Sequence, residues 1–209
     1  DSSCETHALG AVAALGGGLL YLLRGVWTDA AIPAVAAALC FCLSMAALYA
    51  ASAIYHYYPG TAASGGVKRV LRKMDHSMIY VLIAGSYTPF CVVLLPQPRG
   101  TQFCLILWGV ALAGVLAKML WINAPRMLST AVYLIMGWSV VFVAKDFTAL
   151  GQPCLTLVAL GGICYSVGAV FYAVKKPNIS AEWTFHELFH LLILAGSFFH
   201  YLAVYLYVL

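Results

Sequence analysis

Charged residues are scarce in this sequence: Asp, Glu, Lys and Arg make up 9% of the 209 residues, whereas 64% are hydrophobic. A soluble domain carries roughly 25% charged residues, so this composition excludes a soluble globular protein. Several apolar runs approach or exceed the ~20 residues that a helix needs to cross a bilayer. We therefore predict a polytopic membrane protein embedded in the lipid bilayer, and the net charge of +4 is no sign of a nucleic-acid partner.

Cysteine motifs are also missing, since none of the seven cysteines forms a C-x-x-C pair. Most of the cysteines lie within apolar runs, where a free thiol behaves as a small hydrophobic side chain. A short loop separates Cys91 from Cys104, but the sequence holds no further sign of a disulfide between them. We therefore expect the cysteines to be packing residues.

Polar segments divide the chain into seven apolar stretches. They predict helices near residues 7–24, 30–56, 75–95, 101–121, 127–145, 153–174 and 183–208. No connection between these stretches is long enough to hold a soluble domain. We therefore expect an all-α membrane protein in which residues 1–209 form a single seven-helix transmembrane bundle.

Basic residues favour one orientation of this bundle. Eight of them flank the second, fourth and sixth connections: Lys68, Arg69, Arg72, Lys73, Lys118, Arg126, Lys175 and Lys176. Three flank the first, third and fifth connections: Arg24, Arg99 and Lys145. Because cytoplasmic loops carry an excess of Lys and Arg, the N-terminus is predicted to be cytoplasmic and the C-terminus extracytoplasmic.

The sequence His-Glu-Leu-Phe-His at residues 186–190 opens the last apolar stretch. Its two histidines stand at positions i and i+4, which places both imidazoles on one face of a helix. In a soluble protein this spacing, with Glu187 after the first histidine, is typical of a zinc protease. Here the helix stays apolar as far as Leu209, so the metal would lie within the membrane.

Other ionisable residues lie at the same, cytoplasmic end of their predicted helices. His56 ends the second helix, and Asp75 begins the third. Ionisable side chains are costly within a membrane and are therefore functional candidates. Three imidazoles would leave one position of a zinc ion open, as in catalytic sites. We therefore predict a Zn²⁺ site with His56, His186 and His190 as its ligands.

Two neighbouring residues are predicted to take part in catalysis. Asp75 would hold and deprotonate a water molecule at the metal, because zinc makes such water more acidic. Ser52 lies one helical turn before His56 on the same face, where it would contact a ligand or the substrate. Glu187, which would reach the same water, and His7, at the edge of the site, are secondary candidates.

His200 is predicted to lie outside the site. At 1.5 Å per residue it is about 15 Å along the helix from His190, which is too far to share one metal ion. We expect it to form a hydrogen bond nearer the outer leaflet.

Six short motifs are distributed along nearly the whole chain. They are Thr-His at residues 6–7, SAIYH at 52–56, LRKMDHSMIY at 71–80, AGSYTPF at 84–90, HELFH at 186–190 and GSFFHY at 196–201. In combination they resemble the hemolysin III branch of the PAQR superfamily, a mainly bacterial branch whose animal relatives include the adiponectin receptors. The resemblance implies a seven-helix bundle with a cytoplasmic N-terminus, located in a bacterial cytoplasmic membrane.

The resemblance also implies a site and a function. The site is a zinc ion held by the three histidines, with a water molecule toward Asp75. Members of the superfamily have been described as ceramidase-like hydrolases, as receptors, as regulators of membrane lipid composition and as haemolysins. The leading hypothesis is therefore a zinc-dependent hydrolase that cleaves an amide in a membrane lipid and influences lipid homeostasis.

Other functions stay open. A receptor or sensor would use a structural zinc only to join helices, and a cytolytic protein would act as a haemolysin, although no helix has the continuous polar stripe of a pore. An intramembrane protease would use Glu187 as its base, but such enzymes take a third ligand from an Asp-Gly pair, which the sequence lacks. A retinal-binding pump is excluded because the seventh helix contains no lysine.

Overall fold

The described part of the chain consists of helices and short connections. In the computed structural model it comprises residues 2–61, 66–121, 123–147, 151–180 and 183–209, and these residues contain no β-strand. The helices are α1 (Ser2–Trp27), α2 (Ile32–Tyr57), α3 (Gly66–Pro89), α4 (Arg99–Leu120), α5 (Arg126–Gly137), α6 (Ala144–Phe147), α7 (Gln152–Val174) and α8 (Phe185–Tyr207). All except α5 and α6 are long and apolar enough to cross a membrane. The prediction of an all-α membrane bundle is confirmed.

The fifth predicted helix, near residues 127–145, is broken. After α5 ends at Gly137, a 3₁₀-helical segment runs over Trp138–Val143 before the short α6. The hydroxyl of Tyr87 in α3 enters this break, where it donates to the carbonyl of Gly137 and accepts from the N–H of Val140 at 3.0 Å. A side chain that enters the backbone ladder is a known cause of helix breaks. The break is therefore part of the packing between α3 and α5.

The third helix begins at Gly66, well before the start near residue 75 that the apolar pattern predicts. The added turns carry basic residues that bond to the ends of neighbouring helices. Lys68 donates to backbone carbonyl oxygens at the end of α2, and Lys73 donates to one at the end of α4. The last carbonyl groups of a helix lack partners within that helix. The lysines of the added turns give these carbonyl groups hydrogen-bond partners. These bonds explain why the polar stretch before residue 75 forms part of α3.

The first and last helices are joined by a reciprocal pair of tyrosines. The hydroxyl of Tyr21 donates to the backbone carbonyl of Tyr201, and the hydroxyl of Tyr201 donates to that of Gly17, both at 3.0 Å. The two rings stack with their centroids 4.4 Å apart. This contact closes the bundle, in which α1 to α4 pack in sequence order and α7 packs on α8.

Glycines allow α7 and α8 to approach each other closely. A Cβ atom at Gly161 would lie 2.2 Å from the ring of His200, and one at Gly196 would lie 2.6 Å from the ring of Tyr165. Small residues are favoured where membrane helices meet, because close packing rather than water exclusion holds such helices together. The two glycines therefore make room for the aromatic rings of the facing helix.

Candidate metal centre

Three histidines that lie far apart in the sequence come together at one end of the bundle. His56 lies in the last turn of α2, and His186 and His190 lie in the first two turns of α8. One ring nitrogen from each histidine lies within 4.8 Å of the others. These are the three predicted zinc ligands, and the structure brings all of them together.

The spacing of the ring nitrogens suits a metal ion. Nε2 of His56 lies 3.1 Å from Nε2 of His186. Two nitrogens bound to a tetrahedral zinc at the usual distance are about 3.3 Å apart. An N–H···N hydrogen bond between two histidines has a similar length. The third imidazole favours a metal site over such a bond, because all three rings converge. Within the described ranges, no other three His, Cys, Asp or Glu side chains converge in this way.

His190 is the most enclosed of the three histidines. It is 2% exposed, and its Nδ1 has no hydrogen-bond partner among the described residues. Its ring centroid lies 4.5 Å from that of His186 and 5.2 Å from that of His56. Buried polar atoms in proteins normally have a partner. The enclosed imidazole therefore fits a site that is built for a ligand.

The start of α8 is fixed by Glu187. Its Oε2 accepts hydrogen bonds from the N–H of Thr184, at 3.0 Å, and from the Thr184 hydroxyl, while its Oε1 accepts one from the Ser3 hydroxyl at 3.0 Å. The Thr184 hydroxyl in turn accepts from the N–H of His186, which completes a capping box. Glu187 thus holds the turn that presents His186 and His190, and it ties that turn to α1.

Ser3 and Thr184 were not among the predicted site residues. The Thr-x-x-Glu spacing at residues 184–187 is a capping signature that can be read from the sequence. The contact of Ser3 has no such signal, because 184 residues separate it from Glu187. Only the packing of α1 on α8 brings them together.

Asp75 and Ser52 line the same cavity as His186 and His190. The Asp75 side chain is 13% exposed, and its Oδ2 lies 4.0 Å from Nε2 of His76. Ser52 lies beside Asp75 and is 1% exposed, and among the described residues its hydroxyl forms no regular hydrogen bond. The structure therefore places both predicted catalytic residues in the wall next to the histidine cluster.

His7 packs directly on the cluster. Its ring stacks on that of His190, with the centroids 3.7 Å apart and the planes 14° from parallel. It is 2% exposed, and within the described part of the chain neither of its ring nitrogens has a hydrogen-bond partner. An imidazole binds a metal in the plane of its ring, so two nearly parallel stacked rings do not share one ion. In this arrangement His7 supports the ring of His190.

His200 lies apart from the cluster, as predicted from its distance along the helix. Its Nε2 lies 3.0 Å from the backbone carbonyl oxygen of Val158 in α7, and its ring packs edge-on against Tyr165. The expected hydrogen bond is therefore present. Its partner is the backbone of the helix that packs most closely on α8.

The cluster adjoins a cavity of about 840 Å³. Most of its wall consists of aliphatic and aromatic side chains, and the walls come mainly from α3, α5, α7 and α8. Along α3 the lining runs from Arg72 to Tyr87, which corresponds to about 22 Å of helix. Ligand pockets for small molecules span roughly 300–1,000 Å³. This cavity is therefore long enough and apolar enough for a lipid chain.

Three cations that line this cavity, Arg72, Lys118 and Lys175, were not among the predicted site residues. Arg72 precedes Asp75 by three residues on α3, and Lys118 lies near the end of α4 with 4% exposure. In the sequence all three were counted only as loop charges that set the orientation. A lysine inside the last turn of an apolar helix is the signal that could have revealed Lys118, because such residues are rare without a function.

The model of the haemolysin-III-related family matches residues 3–201, a range that contains the three histidines and the cavity wall. The chain belongs to this family. It is therefore a multi-pass integral membrane protein, and the resemblance to the hemolysin III branch is confirmed.

The haemolysin-III-related chain has bacterial and animal relatives. Hemolysin-3 of Bacillus cereus is 33% identical over 207 residues, which cover 98% of this chain and 89% of its own. The Hemolysin-3 homolog of Bacillus subtilis (strain 168) is 38% identical over 158 residues, 75% of this chain and 70% of its own. The adiponectin receptor protein of Drosophila melanogaster is 28% identical over 158 residues, 64% of this chain and 34% of its own.

Proposed function

We propose that this haemolysin-III-related protein is a zinc-dependent hydrolase that cleaves an amide in a membrane lipid and so influences membrane lipid homeostasis. The observation that carries the proposal is the cluster of His56, His186 and His190 at one end of an apolar, lipid-sized cavity. Three protein ligands with one open position are the arrangement of a catalytic zinc. When bound, zinc supplies a Lewis acid that polarises a carbonyl group and makes water more acidic.

Asp75 supplies the base in this proposal. Its carboxylate is largely shielded from bulk water and lies in the cavity wall near the histidines. From there it can accept a proton from the water that attacks the amide carbonyl carbon, and return that proton to the leaving amine. Ser52 lies beside Asp75 with an uncommitted hydroxyl, so it can hold either the carboxylate or the substrate by a hydrogen bond.

A lipid substrate follows from the shape and lining of the cavity. Aliphatic and aromatic side chains favour an acyl chain, whereas the polar end with Asp75 and His190 suits an amide group. α5 packs only lightly against α3 and α7. This side of the bundle is therefore the route by which we expect an acyl chain to enter from the membrane.

The chain is also proposed to cross the membrane seven times. α1 and α8 run parallel, because Ser3 bonds near the start of α8 and Tyr21 bonds near its end. Six alternating crossings would make the first and last helices antiparallel, so a parallel pair requires a seventh. The segment from α5 to α6 can supply the seventh crossing. The hydroxyl of Tyr133 donates to the backbone carbonyl of His76 near the start of α3, and the break after Gly137 meets Tyr87 near the end of α3.

The orientation rests on the basic residues. They surround the second, fourth and sixth connections, which favours a cytoplasmic N-terminus and an extracytoplasmic C-terminus. The histidine cluster would then lie toward the cytoplasmic leaflet. The similarity to bacterial relatives supports a cytoplasmic membrane as the location.

A receptor or sensor with a structural zinc is the second candidate function. The observation that favours it is that the ligands come from α2 and α8, so a metal would join two helices that lie far apart in the sequence. An intramembrane protease is weaker. Both carboxylate oxygens of Glu187 accept hydrogen bonds, in the capping box and from Ser3, which favours a structural role for this residue over that of the base.

Metal content and lipid-amide hydrolysis, measured together on the wild type and two variants, test the proposal. We expect Asp75→Asn to retain zinc and to lose about 10²- to 10⁴-fold of the activity, since a positioned base contributes that much. We expect His190→Ala to lose both zinc and activity, because only two ligands remain. Asp29→Asn makes the same chemical change at an exposed position that does not line the cavity and should change neither quantity.

Equal hydrolysis by the wild type, Asp75→Asn and His190→Ala would overturn the proposal. A wild-type protein that retains zinc but cleaves no lipid amide, together with a His190→Ala variant that loses metal and thermal stability, would instead support the sensor with a structural zinc.

A further inference from the structure

The cavity has a second polar feature, next to the Asp75 end but distinct from the histidine cluster. Lys118 reaches into it from α4 with 4% exposure, and its ammonium group donates to the hydroxyl of Ser129 in α5 at 2.5 Å. Arg72 of α3 lines the same region, within electrostatic range of both Lys118 and Asp75. Two cations are thus held together where the cavity wall changes from polar to apolar.

Within the described ranges, neither cation forms an ion pair with an acid. The ion pairs found there join Asp75 to His76 and Asp146 to Arg99, and neither includes Arg72 or Lys118. The described charged residues in the cavity wall are three cations and a single acid: Arg72, Lys118, Lys175 and Asp75. A buried ammonium group without a counter-charge is strongly destabilising. The wall therefore has an unmet requirement for an anion.

A free hydroxyl lies in the same region. Thr130 follows Ser129 on α5, is 4% exposed and lines the cavity, and its Oγ1 has no hydrogen-bond partner among the residues that the structure describes. Buried polar groups that lack a partner in a native fold call for an explanation. A hydroxyl in the wall of the same cavity can donate to an anionic oxygen, which would complete the set of contacts that Arg72 and Lys118 begin.

We infer that Arg72, Lys118 and Thr130 form a subsite for the anionic headgroup of the lipid substrate, whose acyl chain occupies the apolar length of the cavity. This inference rests on the proposed hydrolase function and narrows it. Arg72 and Asp75 are three residues apart on one helix, about 4.5 Å along its axis. The anion must therefore lie only a few bonds from the amide that is cleaved. The substrate class is an N-acyl amino acid, in which a carboxylate follows the amide directly.

A neutral amide lipid fits this wall less well. A headgroup that carries only hydroxyl groups would leave Lys118 without a counter-charge and Arg72 with Asp75 alone, and hydrogen bonds to charged groups are the stronger ones. A carboxylate meets both cations and can accept from Thr130 with a remaining lone pair. The subsite therefore selects between two lipids that share the same chain and the same amide.

Binding measurements in nanodiscs on the full chain test the inference. The probes are N-oleoylglycine, which carries a carboxylate, and N-oleoylethanolamine, which is neutral and has the same chain and amide. We expect the wild type to bind the anionic lipid on the order of tenfold more tightly than the neutral one. Lys118→Met, Arg72→Gln and Thr130→Val should each weaken this preference, the first two to within about twofold of equal affinity.

Arg69→Gln is the matched control, because it removes the same charge from an exposed residue of α3 that does not line the cavity. It should leave the preference unchanged. Zinc content and thermal stability, measured on every variant, show which variants keep the fold. Because the three substitutions lie on three different helices, the test still works if one variant does not fold. N-acetylglycine, which has the anion but no chain, should not compete at the concentrations that saturate N-oleoylglycine.

Equal wild-type affinity for the two lipids overturns the inference, even if a lipid amide is hydrolysed. A preference that folded Lys118→Met and Arg72→Gln proteins retain also overturns it. Full competition by N-acetylglycine would show a site for a small free anion in place of a lipid headgroup. If the wild type prefers the anionic lipid but hydrolyses neither lipid, the result supports the subsite and contradicts the proposed hydrolase function. Failure of the subsite and failure of the hydrolase function therefore give different results.

Discussion

Glu187 illustrates how one residue can belong to two sequence signatures. With His186 and His190 it completes the pattern of a zinc protease, and with Thr184 it completes a capping box. In the structure its oxygens accept hydrogen bonds from Thr184 and Ser3. The residue therefore positions the histidine-bearing turn of α8, and both of its carboxylate oxygens already accept hydrogen bonds.

Two substitutions of Glu187 separate these roles. Glu187→Gln keeps an oxygen and an amide that can still bond within the capping box, so we expect hydrolysis within a few-fold of wild type. Glu187→Ala removes the cap and should lower the free energy of unfolding by about 0.5–2 kcal/mol. Thermal or denaturant unfolding in detergent and an activity assay on the same samples measure both effects.

The matched control is Glu5→Gln, an exposed acid in the first turns of α1. It should alter neither stability nor activity by much. A loss of more than 100-fold in the activity of a stably folded Glu187→Gln protein would contradict the capping role and restore Glu187 as a general base.

At this scale the sequence predicts part of the site for clear physical reasons. His186 and His190 are related by helical periodicity alone, and His56 joins them once the order of the crossings is known. Its place in the last turn of an apolar helix marks Lys118 as a candidate, but the sequence does not show that this lysine is buried in the cavity wall. Its burial depends on Ser129 of the next helix, which sequence spacing does not place.

Among the elements, the pair α7–α8 depends most directly on the size of single residues. Gly161 faces the His200 ring and the backbone of Gly196, whereas a Cβ atom added at Gly162 on the same helix would meet no described atom within 4 Å. The α7–α8 contact therefore has no room for a methyl group at Gly161, whereas a methyl group at Gly162 would meet no described atom.

Alanine substitutions at these two glycines test that contact. Gly161→Ala should destabilise the protein by about 1–3 kcal/mol, because the new methyl group must displace the ring of His200 and its bond to Val158. Gly162→Ala should be neutral or slightly stabilising, since alanine favours the helix. Unfolding in the same detergent compares the two proteins directly, and equal stability of the variants would contradict the close approach described for α7 and α8.

Helix boundaries were predicted well where the membrane alone sets them and less well where tertiary contacts do. The limits of α2, α4 and α7 lie close to the predicted ones because apolar runs define them. The break after Gly137 could not be predicted, since Tyr87, which enters it, lies 50 residues away in α3. The early start of α3 likewise depends on lysine contacts with the ends of two other helices.

For the whole molecule, the parallel contact of α1 and α8 constrains the number of crossings more strongly than hydropathy does. By length and composition the chain has six long apolar helices, and a shorter apolar stretch spans Met127–Val143. Hydropathy alone does not decide whether that stretch crosses the membrane. The pairing of the first and last helices supports the proposed seventh crossing, because an even number of crossings would point these two helices in opposite directions.

Single cysteines on either side of the fifth segment test this topology. With seven crossings, a membrane-impermeant maleimide should label Gln152→Cys on intact cells and should label Asn123→Cys only after permeabilisation. Both residues are exposed. Thr61→Cys and Pro96→Cys, on either side of α3, form a second pair that should behave as Asn123→Cys and Gln152→Cys respectively.

The wild-type protein gives the background signal, since its seven cysteines are buried or half-buried. Labelling of Asn123→Cys and Gln152→Cys from the same side would contradict the seventh crossing. Reversal of both pairs would leave the number of crossings intact and contradict the orientation.

The distance along the chain between the histidines of the cluster has a consequence for how the protein is made. His56 and His186 are separated by 130 residues, and two of the three ligands lie in the last helix. A nascent chain that has inserted its first six crossings therefore holds only one of the three imidazoles. The complete cluster can arise only when α8 enters the membrane and its tyrosine contact with α1 closes the bundle. If the proposed hydrolase function is correct, a partly synthesised protein would therefore be inactive toward the lipids around it.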